Sequence, residues 1–142
     1  MSATTDIDSQ TLRAYRETEY RVAGEPPFIM RIGEPCPALA SLHASLGVAC
    51  SAFVTACNPH SQRLSPAENT ARQEELAGWL KTRDMPSLRG WGAHPDGNWP
   101  AEASFLVPGL ALETACELGR NFEQNAVVWT DSSSIPELIL LR

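Results

Sequence analysis

Residues 48–72 read VACSAFVTACNPHSQRLSPAENTAR, and the succession of signals within them decides the fold. Residues 48–57 are mostly apolar, with Val48, Phe53 and Val54 set among small residues, a pattern that predicts a central strand buried on both faces. The strand ends at Asn58-Pro59, a dipeptide that favours a turn. A helix start follows, with Ser65 at the N-cap, Pro66 at the first helical position and Glu68 at the third, so that side chains satisfy donors the first turn leaves unpaired. This predicts a helix from Pro66 to about Thr82, with Leu76, Trp79 and Leu80 on its apolar face. Strand, polar loop and capped helix follow one another directly.

Towards the N-terminus, Pro37 and Gly47 bracket a helix in which Leu39, Leu42 and Leu46 recur at helical spacing. Before it, residues 20–23 and 28–32 alternate on either side of Gly24, Pro26 and Pro27 and predict a hairpin. Residues 8–19 carry good helix formers, with Arg13 and Glu17 placed to pair, as in a short surface helix over one edge of the core. Residues 1–8 read as a flexible N-terminal segment. Towards the C-terminus, residues 87–92 and 104–107 predict strands around an irregular segment in which Pro95, Asp96 and Gly97 form a turn. A last helix carries Leu112, Ala115, Cys116 and Phe122, and two short strands, 126–129 and 138–141, flank an exposed loop at 131–136.

Strand pairs interrupted by single helices point to an α+β chain: a two-layer sandwich with a mixed, mostly antiparallel sheet and about four helices, in one domain over residues 1–142. With 11 Lys and Arg against 17 Asp and Glu, the chain lacks the cations that phosphate-driven nucleic-acid binding needs. The N-terminal residues 1–10 hold no apolar run that could serve as a signal-peptide core, and the longest mostly apolar stretch, 48–57, is about half of a membrane span. Cys36, Cys50, Cys57 and Cys116 match neither a zinc frame nor a dense disulfide scaffold, so a cytoplasmic protein with reduced thiols is expected.

The polar residues of the central loop exceed what capping requires. Asn58, Ser61 and Arg63 precede the helix, Asn69 and Arg72 lie in its first turns, and Glu102 and Gln124 are outlying contributors. Together they predict a pocket for a small anionic or phosphorylated ligand, because a helix start offers free N–H groups, an arginine offers countercharge and an amide orients. Ser65 and Glu68 are explained as caps. No cofactor and no metal is expected, since His60, His94, Asp96 and Asn98 have ligand chemistry without a metal-binding spacing. Cys57 with His60 or His94 is the pairing a thiol nucleophile needs, yet cysteine is among the most commonly buried residues. Gly90-Trp91-Gly92 does not extend to a dinucleotide fingerprint, and neither a P-loop nor a GxSxG elbow occurs, so the sequence leaves enzymatic activity open. The competing expectation is a non-catalytic protein interaction module using Trp91, Trp99 and an edge strand.

Three runs carry a resemblance: AFVTACNPHSQRLSPAENTAR at 52–72, NWPAEASFLVPGL at 98–110 and NFEQNAVVW at 121–129. In order and spacing they resemble a bacterial family catalogued as domain of unknown function 3293, over about residues 15–141. The resemblance implies a small stand-alone bacterial domain and transfers no activity to any residue. An aromatic residue commonly stands in that family where this chain has Cys57, which weighs further against thiol chemistry there.

Overall fold

A computed structural model describes residues 5–97 and 100–142. In chain order the elements are α1 (Ser9–Glu17), β1 (Glu19–Val22), β2 (Phe28–Met30), α2 (Pro37–Leu46), β3 (Ser51–Val54), α3 (Pro66–Thr82), β4 (Leu88–Ala93), β5 (Glu102–Pro108), α4 (Leu112–Asn121), β6 (Ala126–Thr130) and β7 (Glu137–Leu140). A 3₁₀ turn at Pro59–Ser61 separates β3 from α3.

Local chemistry sets the helix ends. The Glu68 N–H donates to Ser65 Oγ and the Ser65 N–H donates to Glu68 Oε1, each at 3.2 Å, which closes the capping box of α3. The Ser65 hydrogen bonds hold the Glu68 carboxyl below its ordinary range. Gly47 ends α2 at φ 67°, a left-handed conformation that costs glycine little. Asp8 caps α1, accepting from the Thr11 N–H at 2.8 Å.

The seven strands form one curled sheet in the order β2-β1-β4-β5-β3-β6-β7, and each pairing is antiparallel. β3 lies between β5 and β6 and is buried at every position, as its apolar run predicts. Alternation along it sends Ala52 and Val54 to one face, where they meet Leu76 and Leu80 of α3 and Leu118 of α4. Phe53 goes to the other face with Tyr20, Met30, Leu106, Val128 and Leu39 of α2. The class is α+β, with four α-helices among the described residues. In place of the expected mixed sheet, the pairings are antiparallel throughout, and apolar side chains are packed on both sides of the sheet.

The loop at 131–136 also departs from expectation. Ser134 and Pro136 are buried, because their carbonyls accept from the N–H groups of Cys36 (2.9 Å) and Gly33 (2.8 Å) just ahead of α2. That segment is stapled to the core by backbone bonds its polar composition conceals.

Candidate functional site

β3 delivers the chain to a loop with unusual backbone. Asn58, His60 and Ser61 have φ of 47°, 50° and 60°, left-handed values that are strained for residues with a Cβ. Hydrogen bonds impose them. The Asn58 N–H donates to Asn69 Oδ1, while Asn58 Oδ1 accepts from Asn69 Nδ2 and from the Leu64 N–H, all at 2.9 Å. Asn58 Nδ2 donates to Glu102 Oε2 at 2.8 Å, tying the loop to β5. The His60 N–H donates to the Glu123 carbonyl at 2.7 Å. Gln124 Nε2 donates to the carbonyls of Cys57 (3.0 Å) and Phe122 (3.2 Å).

This loop forms one end of a cavity of about 380 Å³ between α1 and the sheet. Thr11, Ala14, Tyr15 and Thr18 recur at three- and four-residue spacing and form its roof. Tyr20, Phe53, Ser104 and Val128 form much of its floor, with the Tyr20 and Phe53 rings edge to face at 5.3 Å. Strand register explains the hollow. Tyr20 pairs with Gly92 and Gly92 with Glu102, so a residue without a side chain stands between a phenol and a carboxylate. At Gly90 a Cβ would lie 2.9 Å from Phe53 Cε2 and 2.6 Å from the Arg21 carbonyl, so only glycine lets that ring lie against β4.

Polar groups gather at both ends. At the loop end the Tyr15 hydroxyl is hydrogen-bonded to Ser61 Oγ, and Asn125 Nδ2 donates to both oxygens, at 3.0 and 3.1 Å. Arg142 Nη1 donates to Asn125 Oδ1 at 3.1 Å. At the other end His94 Nδ1 is 2.7 Å from Asp96 Oδ1, and its Nε2 is 4.0 Å from Glu17 Oε2. Burial pushes the Tyr20 hydroxyl above the ordinary phenol range, with the neighbouring Tyr15 and Glu102 adding to the shift, so it stays protonated and donates to the Tyr15 carbonyl at 2.6 Å.

A second cavity, of about 420 Å³, lies beside the start of α3 and is lined by Arg63, Leu64, Asn69, Gln73 and Phe105 among others. Asn58 and Glu102 line both cavities and so form their common wall. The residues expected to form one pocket are therefore divided. Ser61 and Gln124 join Asn58 and Glu102 at the first cavity, and Arg63 and Asn69 join them at the second. Arg72 lines neither: its Nε donates to the Ala56 carbonyl (2.6 Å), its Nη2 to the Phe122 carbonyl (2.5 Å), and its Nη1 is 3.6 Å from Glu123 Oε1. Its guanidinium closes the junction between the end of β3 and the end of α4.

Cys57 is buried, its Sγ is 3.6 Å from the Ala103 carbonyl, and burial pushes its thiol up, the opposite of an activated nucleophile. All four cysteines are free. Among the described residues no group of three His, Cys, Asp or Glu is placed to hold a metal, and no helix is long and apolar enough to cross a membrane. Asn98 and Trp99 lie outside the described residues. Trp91 is exposed, beside Arg21 in register on the sheet face opposite the cavity. Sequence reasoning missed Tyr15, Tyr20 and Phe53 as site residues. Tyr15 carried a signal in its spacing from Thr11 and Thr18, whereas Tyr20 and Phe53 meet only through strand register.

The family model described as "Protein of unknown function (DUF3293)" matches residues 54–127, just over half of the chain, and the chain belongs to that family. The matched stretch runs from the end of β3 through α3, β4, β5 and α4 into β6, and it includes the strained loop, Glu102 and Gln124. Neither the curated proteins nor the solved structures contain a match.

Proposed function

We propose that this protein binds a small molecule in the cavity between α1 and the sheet. The observation that carries this reading is a concave space of about 380 Å³ that joins an aromatic floor to convergent polar groups. The strained backbone at Asn58, His60 and Ser61 supports it, since such conformations concentrate at ligand sites. The test is a thermal-shift screen of small metabolites, acidic, neutral and basic. A ligand at one hundred times its dissociation constant adds about 2.7 kcal/mol and raises the melting temperature by several degrees. Gly92→Val then projects a side chain into the hollow of the floor from a backbone position valine tolerates, and it should abolish the shift. A shift that survives this substitution places the ligand elsewhere.

A second reading has its own observation. A small anionic or phosphorylated ligand is better served by the second cavity, where Arg63 lies near the start of α3 and Gln73 Nε2 is buried with no hydrogen-bond partner among the described residues. Stabilisation by inorganic phosphate that disappears in Arg63→Ala and persists in Gly92→Val supports that reading.

A further inference from the structure

Resting on the small-molecule reading, we propose that the α1 cavity takes a small organic cation: a protonated amine on an apolar or aromatic body, with Glu102 as its countercharge. Three independent features of the lining favour this class.

The first is charge. Glu102 and Asp96 line the cavity and, among the described residues, no Lys or Arg does, so the described wall carries net negative charge even with the His94 ring protonated. An anion brought into this space finds at most the His94 ring as countercharge and meets the carboxylates of Glu102 and Asp96.

The second is hydrogen-bond polarity, which is more discriminating. A hydroxyl has one hydrogen and two lone pairs, and five of the seven hydroxyls of this lining have given their hydrogens to protein acceptors, while Tyr15 and Ser61 share a single hydrogen bond between them. Thr11 Oγ1 donates to Asp8 Oδ2, Thr18 Oγ1 to the Ala14 carbonyl and Tyr20 Oη to the Tyr15 carbonyl, at 3.1, 2.7 and 2.6 Å. Thr55 Oγ1 donates to the Ala103 carbonyl at 2.7 Å and Ser104 Oγ to the Glu102 carbonyl at 3.1 Å. Of the amide donors, Gln124 Nε2 gives both hydrogens to carbonyls and Asn58 Nδ2 gives one to Glu102. The wall offers a guest more lone pairs than hydrogens. A guest that supplies hydrogens, as an ammonium does with three, is the chemical complement.

The third is the rings. Tyr15, Tyr20 and Phe53 supply aromatic surface to the same space, and the negative face of an aromatic ring attracts a cation. The carbon body that carries the amine also finds apolar area on Phe53 and Val128.

The test holds the body constant and changes only the head: phenethylamine, 2-phenylethanol and phenylacetate, titrated into the full chain at neutral pH and low salt and followed by NMR shifts. The expected result is that phenethylamine binds about tenfold or more tightly than 2-phenylethanol, with phenylacetate weaker than both. Glu102→Gln keeps an acceptor for Asn58 and removes the charge, so it should bring the amine close to the alcohol, weakening the amine by a much larger factor than the alcohol. Asp96→Asn, at a half-exposed carboxylate already paired with His94, should weaken the amine by a smaller factor. The ligand class is overturned if phenylacetate or the alcohol binds as tightly as the amine, if the amine does not bind at millimolar concentration, or if its preference survives both substitutions. These failures separate from failure of the cavity itself. Alcohol or acid binding that Gly92→Val removes leaves the cavity standing and the cation fallen, whereas binding of any probe that survives Gly92→Val removes the cavity.

Discussion

α1 and α4 are short amphipathic helices laid on the same sheet, and they use their inner faces in opposite ways. α4 buries Ala115, Leu118 and Gly119, and it comes so close at Gly119 that a Cβ there would stand 2.5 Å from Leu141 Cδ1 and 2.8 Å from Val127 Cγ1. α1 has no buried residue and turns Thr11, Ala14, Tyr15 and Thr18 to a cavity. One helix is anchored by apolar area, the other by the Tyr15 hydroxyl and by the Tyr20 hydroxyl's bond to the Tyr15 carbonyl. A helix that roofs a cavity without filling it gives up hydrophobic anchoring, and regions with few buried apolar contacts open most readily. The difference marks α1 as the wall able to move.

The largest effect should fall on the anchored side. Leu118→Ala removes a side chain that is 1% exposed in the α3/α4 core, and urea unfolding should show a loss of about 3 kcal/mol. A loss no greater than that of a single α1 substitution would break the contrast. Next comes the wall shared by the two cavities. Asn58→Ala leaves Glu102, Asn69 and the Leu64 N–H each short of a partner and keeps a Cβ at φ 47°, so a loss of about 2 kcal/mol is expected. Asn58→Gly breaks the same bonds but relaxes the backbone, and it should recover about 1 kcal/mol of that loss. If the two variants are equally stable, backbone strain is not what the hydrogen bonds are holding.

These two regions also divide what the sequence reveals from what it hides. α3 runs from Pro66 to Thr82 as read, because its capping box and the apolar positions Leu76 and Leu80 are all written within one segment. α2, closed by Pro37 and Gly47, and the buried run of β3 are legible for the same local reason. Strand order is not local. The placement of β4 between β1 and β5 follows from pairings across the chain, and with it the row Tyr20–Gly92–Glu102 that hollows the cavity. The polar loop's excess of side chains beyond capping pointed to Asn58 and Ser61, which line the first cavity together with the outlying Glu102 and Gln124. The same excess pointed to Arg72, whose guanidinium instead satisfies the carbonyls of Ala56 and Phe122. A chain's need to satisfy its own buried carbonyls cannot be told from a ligand's need without the contacts.

A smaller effect belongs to α2, on the same sheet face as α1 but packed like α4. His43 is buried, its Nε2 is hydrogen-bonded to Ser51 Oγ, and burial lowers its pKa. The native state therefore binds fewer protons here than the unfolded chain. The contribution is fully present above the unfolded histidine value of about 6.5 and is lost progressively as pH falls below it. Denaturant melts at pH 7.5 and 5.5 should show His43→Gln losing less stability on acidification than the wild type. An equal loss in both proteins shows that acid acts through other groups.

The smallest global effect, and the sharpest on α1, is expected from Tyr15→Phe. The substitution keeps the ring over the cavity and removes only the hydroxyl bonded to Ser61 and Asn125. Ser61 Oγ still accepts from Asn125 Nδ2 at 3.1 Å, so no buried group is orphaned and global stability should fall by less than about 1 kcal/mol. Because α1 has so little apolar anchoring, that small loss comes almost wholly out of its local docking free energy. Amide exchange in α1 should therefore accelerate severalfold while exchange in α4 stays as it was. Equal acceleration in both helices means that α1 opens only with global unfolding, and it could not then act as the movable wall through which a guest enters. Unchanged exchange in both means the Tyr15 hydroxyl is not the latch, and the Tyr20 hydroxyl's bond to the Tyr15 carbonyl is left as the principal restraint on the roof.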